Sequence, residues 1–139
     1  MEIGIHNKYD PDKIDEIRAV YQSAGWLKHS NEVITKVFQR SDIVTFAISD
    51  GRIIGVGRAL TDGVFNAAIY DVVVHLEYQK IGIGSLIMSD LLEQLKDVSC
   101  VQLISTTGNE EFYRKHGMKK LKTGMARYLN SSLTGEYLD

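Results

Sequence analysis

Residues 71–85 read Asp71-Val72-Val73-Val74-His75-Leu76-Glu77-Tyr78-Gln79-Lys80-Ile81-Gly82-Ile83-Gly84-Ser85. An apolar run ends at Val74, a loop with two closely spaced glycines follows, and a helical pattern extends from about Gly84 to Lys96, with its apolar side chains three and four residues apart. A strand that is apolar on both faces is typical of the centre of a sheet. The stretch therefore predicts a buried strand, a tight loop and a helix in succession.

The loop from Gln79 to Ser85 has the chemistry of an anion site. Glycine lets a backbone turn tightly and approach a ligand closely. The first amides of a helix lack intrahelical partners and lie at the positive end of the helix dipole. Lys80 adds a full positive charge. These features together suit a pyrophosphate.

Two common glycine-rich nucleotide motifs fit this loop less well. A P-loop requires a lysine between its second glycine and the following serine, which Ile83-Gly84-Ser85 lacks. The dinucleotide fingerprint requires a third glycine, and a later acidic residue within a repeated strand–helix unit, and neither feature is present. Close packing of the helix on the strand remains an alternative function for Gly82 and Gly84.

The flanking sequence predicts a mixed sheet with helices. Asp50-Gly51 is a strong hairpin signal, because both turn positions need positive φ. Helices are expected after the cap Asp10-Pro11, after Ser30 or Asn31, over Gly84–Lys96 and over Asn109–Lys115. Strands are expected at Ile3–Ile5, Ile43–Ser49, Arg52–Leu60, Phe65–Val74, Cys100–Ser105, Met118–Leu121 and Met125–Leu129. The expected class is α/β or mixed α+β, with six or seven strands and about four helices.

Composition narrows the function classes. The chain has 139 residues, one proline and a net charge of −2, which predicts one soluble domain over residues 1–139 and disfavours nucleic-acid binding. No signal peptide or membrane-length apolar run is evident, so the expected location is the cytoplasm. The single cysteine, Cys100, lies in an apolar run and is expected to be buried and inert.

Two motifs together resemble the GNAT acyltransferase superfamily. The first is Gln79-x-x-Gly82-x-Gly84, and the second is the Phe112-Tyr113-Arg114-Lys115-His116-Gly117-Met118 segment, with methionine where phenylalanine is usual. Leu76 stands where the family usually has proline. The order of predicted elements is similar to the family's over nearly the whole chain.

The resemblance implies acetyl-CoA as co-substrate and direct transfer of its acetyl group to a primary amine in a ternary complex. It implies that the strand before the loop splays from its neighbour and pairs with the pantetheine arm. The arm is then assigned to Val72, Val73 and Val74, and the pyrophosphate to Gln79, Lys80, Ile81, Gly82, Ile83, Gly84 and Ser85.

The resemblance also implies catalytic residues. Tyr113 matches the general acid that protonates the leaving thiolate, while a core aromatic is its alternative role. Phe112 is expected to pack beside the cofactor, and Asn109 either binds the pantetheine amides or caps its helix. Asp71 is the first choice for the general base, ahead of Glu77 and His75, which are expected on an exposed loop; it could instead anchor a loop or bind a cationic substrate.

The acceptor end is expected in the first helices, the loop between them and the turn-bearing strands. Candidate substrate-binding residues are Trp26, Arg58 and Asp62, each of which could equally be an edge-packing, strand or turn residue. The two aspartates, Asp62 and Asp71, favour a cationic amine on a small molecule or peptide. The four histidines lack zinc-binding spacing, so no metal is expected.

Three function classes stay open from the sequence alone. The leading hypothesis is an N-acetyltransferase, and the alternatives are a catalytically silent acyl-CoA sensor and a structural interaction domain. Tyr113 discriminates the first two, because a sensor has no need of a thiol-protonating acid. The apolar residues of Met125–Leu129 permit a homodimer through C-terminal strands.

Overall fold

The computed structural model describes residues 1–139 and divides them into two compact units, residues 1–105 and residues 106–139. The first unit contains strands β1 (Gly4–His6), β2 (Ile43–Ser49), β3 (Arg52–Thr61), β4 (Asn66–Val74) and β5 (Cys100–Gln102), and helices α1 (Ile14–Ser23), α2 (Asn31–Gln39) and α3 (Ile83–Gln94). The second contains only the short helices α4 (Glu110–Arg114) and α5 (Ser131–Tyr137). The expectation of a single domain over residues 1–139 stays a prediction.

Local signals place the elements of the first unit well. Asp10 caps a 3-10 turn that leads into α1, and the Ser30 side chain accepts the Val33 N–H to cap α2. Asp50 and Gly51 both have positive φ, as the predicted hairpin requires. The strand β2 has the predicted bounds.

The sheet is mixed, as expected, with the strand order β1-β2-β3-β4-β5. The first four strands pair antiparallel, and β4 pairs parallel with β5 after the crossover through α3. The parallel register joins only Asn66, Ala67 and Ala68 of β4 to Cys100, Val101 and Gln102 of β5. Beyond Ala68, therefore, no strand of the sheet pairs with β4 on that side.

The sheet has five strands rather than six or seven. The predicted strands Met118–Leu121 and Met125–Leu129 do not form, and the predicted Cys100–Ser105 shortens to Cys100–Gln102. In the second unit, Met125 is 98% exposed and Leu129 is 91% exposed. The apolar side chains of the second segment therefore have no surface to pack against. Lysines also interrupt the first of these two segments, and α5, which was not predicted, follows the second.

Cys100 is exposed, which contradicts the expectation of a buried thiol. The apolar run around it becomes a three-residue strand at the edge of the sheet, with only Val101 half-buried. An edge strand this short covers little of either of its faces.

Helices α1 and α2 pack on one face of the sheet. Their buried side chains form one cluster with side chains from β2, β3 and β4, among them Ile17, Tyr21, Ile34, Phe38, Phe46, Val56 and Val73. The cluster is rich in aromatic rings, with Phe38 and Phe46 centroids 5.4 Å apart. This core holds the beginning of the chain against the strands that carry the candidate site.

Helix α3 packs directly on the opposite face, against two glycines of β3. A Cβ built on Gly55 would lie 2.7 Å from Ile87 Cδ1, and one on Gly57 would lie 2.6 Å from Ile87 Cγ2 and 2.9 Å from Leu91 Cδ1. These distances are too short for carbon atoms in contact. Glycine at both positions is therefore what lets the helix approach the strand so closely.

A polar network fixes the same helix to β2. Asp90 Oδ2 accepts hydrogen bonds from Thr45 Oγ1 at 2.7 Å, Asn7 Nδ2 at 2.7 Å and Gln94 Nε2 at 2.8 Å. Thr45 is fully buried, so its hydroxyl needs a partner. The network sets the position of α3 along the sheet.

We expect Gly57→Ala to lower the free energy of unfolding by about 1–3 kcal/mol, the usual cost of overpacking a well-filled core. The added methyl group would collide with the branched Ile87 and with Leu91. Urea denaturation followed by far-UV circular dichroism measures the change.

The matched control is Gly4→Ala, another strand glycine in the same unit, where an added Cβ meets only the Ile48 carbonyl oxygen at 3.9 Å. Its unfolding midpoint should stay close to that of the wild type. Equal midpoints for Gly57→Ala and Gly4→Ala would show that the close contact of α3 with β3 is not a constraint.

Candidate active site

The loop between β4 and α3 has an unusual backbone. The 3-10 turn Leu76–Tyr78 follows the strand, and the Gln79 side chain then donates to the Val74 carbonyl at 3.0 Å. Lys80 has a φ of 68° and Gly82 has a φ of 91°, both in the left-handed region. Gly82 is the N-cap of α3. Left-handed residues beside a helix start turn successive amides toward one concave side, a common anion-binding arrangement.

The first turn of α3 contains Ile83, Gly84 and Ser85. Ile83 buries its side chain, so the helix start is held by the core while its backbone lies at the loop. A Cβ on Gly82 would meet no atom within 4 Å, so the space over the loop is open. Lys80 and Ile81 are exposed beside it. The residues present therefore fit the pyrophosphate group that the sequence motif predicts.

The Val72–Val74 segment lies on the part of β4 that β5 does not pair. Val73 is buried, whereas Val72 and Val74 are half-buried, so the triplet is less enclosed than a central strand would be. An edge with free amides and carbonyls can accept another extended chain. The unpaired edge is where the resemblance assigns the pantetheine arm, and binding of the arm there stays a prediction.

Asp71 sits at a bulge just before that segment. Its φ is 55°, and the pairing of β3 with β4 shifts register opposite it, between Val56 and Arg58. Arg58 Nε donates to Asp71 Oδ2 at 2.7 Å, and the Tyr21 hydroxyl donates to the same oxygen at 3.2 Å. Both members of the ion pair are largely buried. The acidic side chain is thus held from two directions.

Arg58 has further contacts inside the unit. Its Nη1 donates to Ser41 Oγ at 3.4 Å, and its guanidinium lies 5.2 Å from the centre of the Tyr70 ring. The guanidinium predicted to bind a substrate carboxylate therefore already has a carboxylate partner in Asp71. Its role toward a substrate stays a prediction.

An aromatic group surrounds the Tyr21 ring. The His29 imidazole stacks on it at 4.2 Å between centroids with 7° between planes, and the Trp26 ring lies at 5.7 Å. Trp26 is half-buried and packs against the core cluster, as its alternative interpretation expected. Burial lowers the pKa of His29 and, together with the nearby Asp71 carboxylate, raises the pKa of Tyr21 far above its ordinary value.

Tyr21 and His29 were not identified as site residues from the sequence. The apolar stripe of α1 predicted Tyr21 as a core residue, which it is, but its hydroxyl partner lies 50 residues away. The segment containing His29 was assigned to the acceptor region without a role for the imidazole. Only the tertiary fold brings these two rings to Asp71.

Asp62 is exposed and organises its own loop. Its Oδ1 accepts the backbone N–H groups of Val64, Phe65 and Asn66 at 2.8, 2.8 and 3.2 Å. These hydrogen bonds, from Val64 first, lower the pKa of the carboxyl. The turn role is therefore present, and binding of a cationic substrate by Asp62 stays a prediction.

His75 is buried, which contradicts its expected place on an exposed loop. Its backbone N–H donates to the Ile54 carbonyl at 2.8 Å, its ring Nδ1 accepts the Glu77 N–H, and its ring Nε2 lies 3.2 Å from Arg52 Nη2. Both ring nitrogens therefore have partners. Glu77 is exposed, as expected.

The second unit contains the other predicted catalytic residue. Tyr113 is half-buried in α4, and burial raises the pKa of its phenol. Phe112 packs edge to face against it at 5.0 Å. Gly117, at a φ of 84°, ends the helix as predicted. A phenol with a raised pKa is a protonated donor at neutral pH.

Asn109 precedes α4 without a side-chain capping bond. Its Nδ2 instead donates to Thr106 Oγ1 at 2.5 Å. The capping alternative is therefore not realised, while contact with pantetheine amides stays a prediction. We find no group of three or more histidine, cysteine, aspartate or glutamate residues placed to hold a metal ion, and no helix with the length and apolarity of a membrane span.

Comparison with known proteins shows which family the chain resembles. Residues 11–118 match the model of the acetyltransferase (GNAT) family. An uncharacterized N-acetyltransferase of Porphyra purpurea is 33% identical over 116 residues, covering 79% of this chain and 67% of the relative. Serotonin N-acetyltransferase 2, chloroplastic, of Oryza sativa is 31% identical over 110 residues, covering 75% of this chain and 55% of the relative.

A solved structure agrees over most of the chain. A GNAT family acetyltransferase from Streptococcus pneumoniae superposes with a TM-score of 0.79 at 28% identity, covering 93% of this chain and 98% of that one. The mixed sheet, in which β4 is unpaired by β5 beyond Ala68, the left-handed loop before α3 and these matches lead to one conclusion. The chain belongs to the GNAT acetyltransferase family.

Proposed function

We propose that the protein transfers the acetyl group of acetyl-CoA to a primary amine of a small molecule or peptide, by direct transfer in a ternary complex. One observation carries the proposal. The left-handed Lys80 and Gly82 lie in the loop just before α3, and that loop follows a strand whose outer edge is unpaired beyond Ala68. An anion cradle and a free strand edge in direct succession suit a ligand with a pyrophosphate and an extended amide-bearing arm.

The proposed binding of the donor depends mainly on the backbone. The amides from Gln79 to Ser85 bind the pyrophosphate, aided by the dipole of α3 and the Lys80 charge. The edge of Val72–Val74 pairs with the pantetheine arm, and the amide near Val72 donates to the thioester carbonyl. Asn109 and Phe112 are proposed to contact the arm as well. No metal is required.

The reaction is a direct displacement at the thioester carbon. The amine nitrogen forms a bond to the carbonyl carbon, the carbon–sulfur bond breaks, and the electron pair leaves with sulfur. Tyr113 donates its phenolic proton to the departing thiolate. The amine gives up its own proton to a base, for which the sequence predicts Asp71. Holding both substrates together supplies much of the acceleration.

The acceptor is proposed to contact Trp26 of the loop between α1 and α2, Arg58 of β3 and Asp62 of the turn after β3. The name of the rice relative specifies serotonin, and the aromatic rings around Tyr21 are compatible with an aromatic amine. We therefore propose an acceptor screen that begins with arylalkylamines, followed by polyamines, amino sugars and lysine peptides. Release of free coenzyme A thiol reports turnover with each class.

Three further proposals follow the sequence predictions. The whole chain acts as one acetyltransferase domain, its setting is the cytoplasm, and the exposed apolar residues Met125 and Leu129 permit a homodimer, although not through C-terminal strands, which do not form. Size-exclusion chromatography with light scattering measures the dimer directly.

We expect Gly82→Glu to abolish acetyl-CoA binding measured by isothermal titration calorimetry. Any side chain is strained at a φ of 91°, and a carboxylate there would repel the pyrophosphate. The open space around Gly82 means that no packed neighbour is displaced.

Gly51→Glu is the matched control, since Gly51 also has a positive φ, 75°, and open space where a Cβ would be. It imposes similar backbone strain in the β2–β3 hairpin and should leave acetyl-CoA affinity unchanged. Wild-type affinity in Gly82→Glu would show that the loop does not hold the pyrophosphate.

We expect Tyr113→Phe to reduce turnover by about 100-fold or more while acetyl-CoA affinity stays nearly constant. The variant keeps the ring that packs on Phe112 and removes only the acidic proton. Stopped-flow or thiol-release assays measure the rate, and calorimetry measures the affinity.

Tyr137→Phe removes a hydroxyl from another tyrosine of the same unit and should retain full turnover. Full turnover in Tyr113→Phe would exclude this phenol as the acid. Tight acetyl-CoA binding by a wild-type protein that cleaves no thioester with any amine would instead support the sensor hypothesis.

A further inference from the structure

The His29 imidazole is held in a defined position without being used in a hydrogen bond. It lies between α1 and α2, and its ring is nearly parallel to the Tyr21 ring at 4.2 Å. The Trp26 ring lies 5.6 Å away on another side. Stacking of this kind fixes the orientation of a ring but leaves its nitrogens free to react.

One ring nitrogen of His29 is buried and has no partner. Nδ1 is among the few buried side-chain polar atoms that make no hydrogen bond. His75, the other well-enclosed histidine, has the Glu77 amide on one nitrogen and Arg52 near the other. Buried polar atoms are nearly always paired, so an unpaired one requires an explanation, and a catalytic role is one such explanation.

The groups that face the ring come from three elements. Asp71 of β4 and Arg58 of β3 act on the imidazole with opposite signs, and Tyr21 of α1 lies against its face. Burial dominates and lowers the pKa of His29, so the ring is neutral at pH 7 and can accept a proton. Tyr21 cannot be a base, because its pKa is raised and its proton is donated to Asp71.

Asp71 is less available than the imidazole. Its Oδ2 accepts from both Arg58 and Tyr21, and the ion pair is largely buried. The Tyr21 hydroxyl donates a hydrogen bond to Asp71, and the Tyr21 ring stacks on the face of the His29 imidazole. Asp71 directly precedes Val72, near which an amide is proposed to hold the thioester carbonyl, so these contacts connect His29 to the residue beside the proposed reacting end.

We propose that His29, rather than Asp71, is the general base that takes the proton from the acceptor amine, and that Asp71 positions it through Tyr21. The inference rests on the proposed acetyltransferase function. In the step, the acceptor binds as an ammonium group, one of its N–H bonds breaks with the electron pair staying on nitrogen, and an N–H bond forms on the imidazole, which becomes imidazolium. The lone pair of the neutral amine then attacks the thioester carbon, and the carbon–sulfur bond breaks as Tyr113 protonates the sulfur. The nitrogen loses its remaining excess proton to water, from which the Tyr113 phenolate is reprotonated, and the imidazolium returns its proton to solvent after product release.

The test compares wild type with His29→Phe and His29→Gln in the full chain. His29→Phe keeps an aromatic face on Tyr21, and His29→Gln keeps a polar side chain if the first variant folds poorly. We expect each to lower kcat by about 100-fold or more at pH 7, with acetyl-CoA affinity and thermal unfolding close to wild type. His6→Gln, at an exposed histidine of β1, is the control and should keep wild-type kcat.

The pH profile of kcat at saturating substrates separates catalysis from packing. A base is inactive when protonated, so wild-type kcat should fall as pH drops through the pKa of His29, below the ordinary 6.5. Both variants should lose this acidic limb. Unchanged kcat with the limb intact in His29→Phe and His29→Gln would overturn the assignment while leaving the acetyltransferase function standing.

A second comparison identifies the base if His29 is wrong. If kcat falls in the His29 variants but the limb persists, and Asp71→Asn removes the limb, Asp71 is the base and the inference fails. A wild-type protein that cleaves no thioester with any amine contradicts the proposed function itself, and the inference falls with it.

Discussion

The rest of the structure depends on the direct contact between α3 and β3. Ile87 and Leu91 occupy the space that a Cβ on Gly55 or Gly57 would need, so the helix lies against the backbone of the strand. Residues 75–82 join β4 to α3. Close packing of α3 on β3 therefore fixes the position of the first turn of the helix relative to the end of β4. The position of the anion cradle therefore depends on packing within the core.

The unpaired edge and the bulge of β4 occur over the same few residues. Pairing with β5 ends at Ala68, and the register against β3 shifts opposite Asp71. A strand that stayed regular and fully paired would offer neither free backbone groups nor a turned carboxylate. The Arg58–Asp71 ion pair joins the bulge of β4 to β3. The bulge is therefore anchored on the β3 side, while the other edge of β4 is unpaired.

Features set by neighbouring residues could be predicted from the sequence, and features set by distant residues could not. The Asp50-Gly51 hairpin and the β2 bounds follow from local turn chemistry and alternation. The strands expected over Met118–Leu121 and Met125–Leu129 failed because a strand needs a partner and an apolar surface to cover, which no local pattern supplies. Glycine is needed at position 57 because Leu91, 34 positions later, occupies the space of a Cβ. A local pattern cannot indicate this requirement.

The same distinction divides the candidate site. The proposed donor half consists of backbone groups at consecutive positions, from Gln79 to Ser85, and a short motif is enough to predict it. The proposed acceptor half is assembled from side chains of separate elements, as when Tyr21 of α1 meets Asp71 of β4 and His29 of the next loop. A family motif can therefore identify the donor in any member, while the acceptor is determined by side chains that each member places for itself.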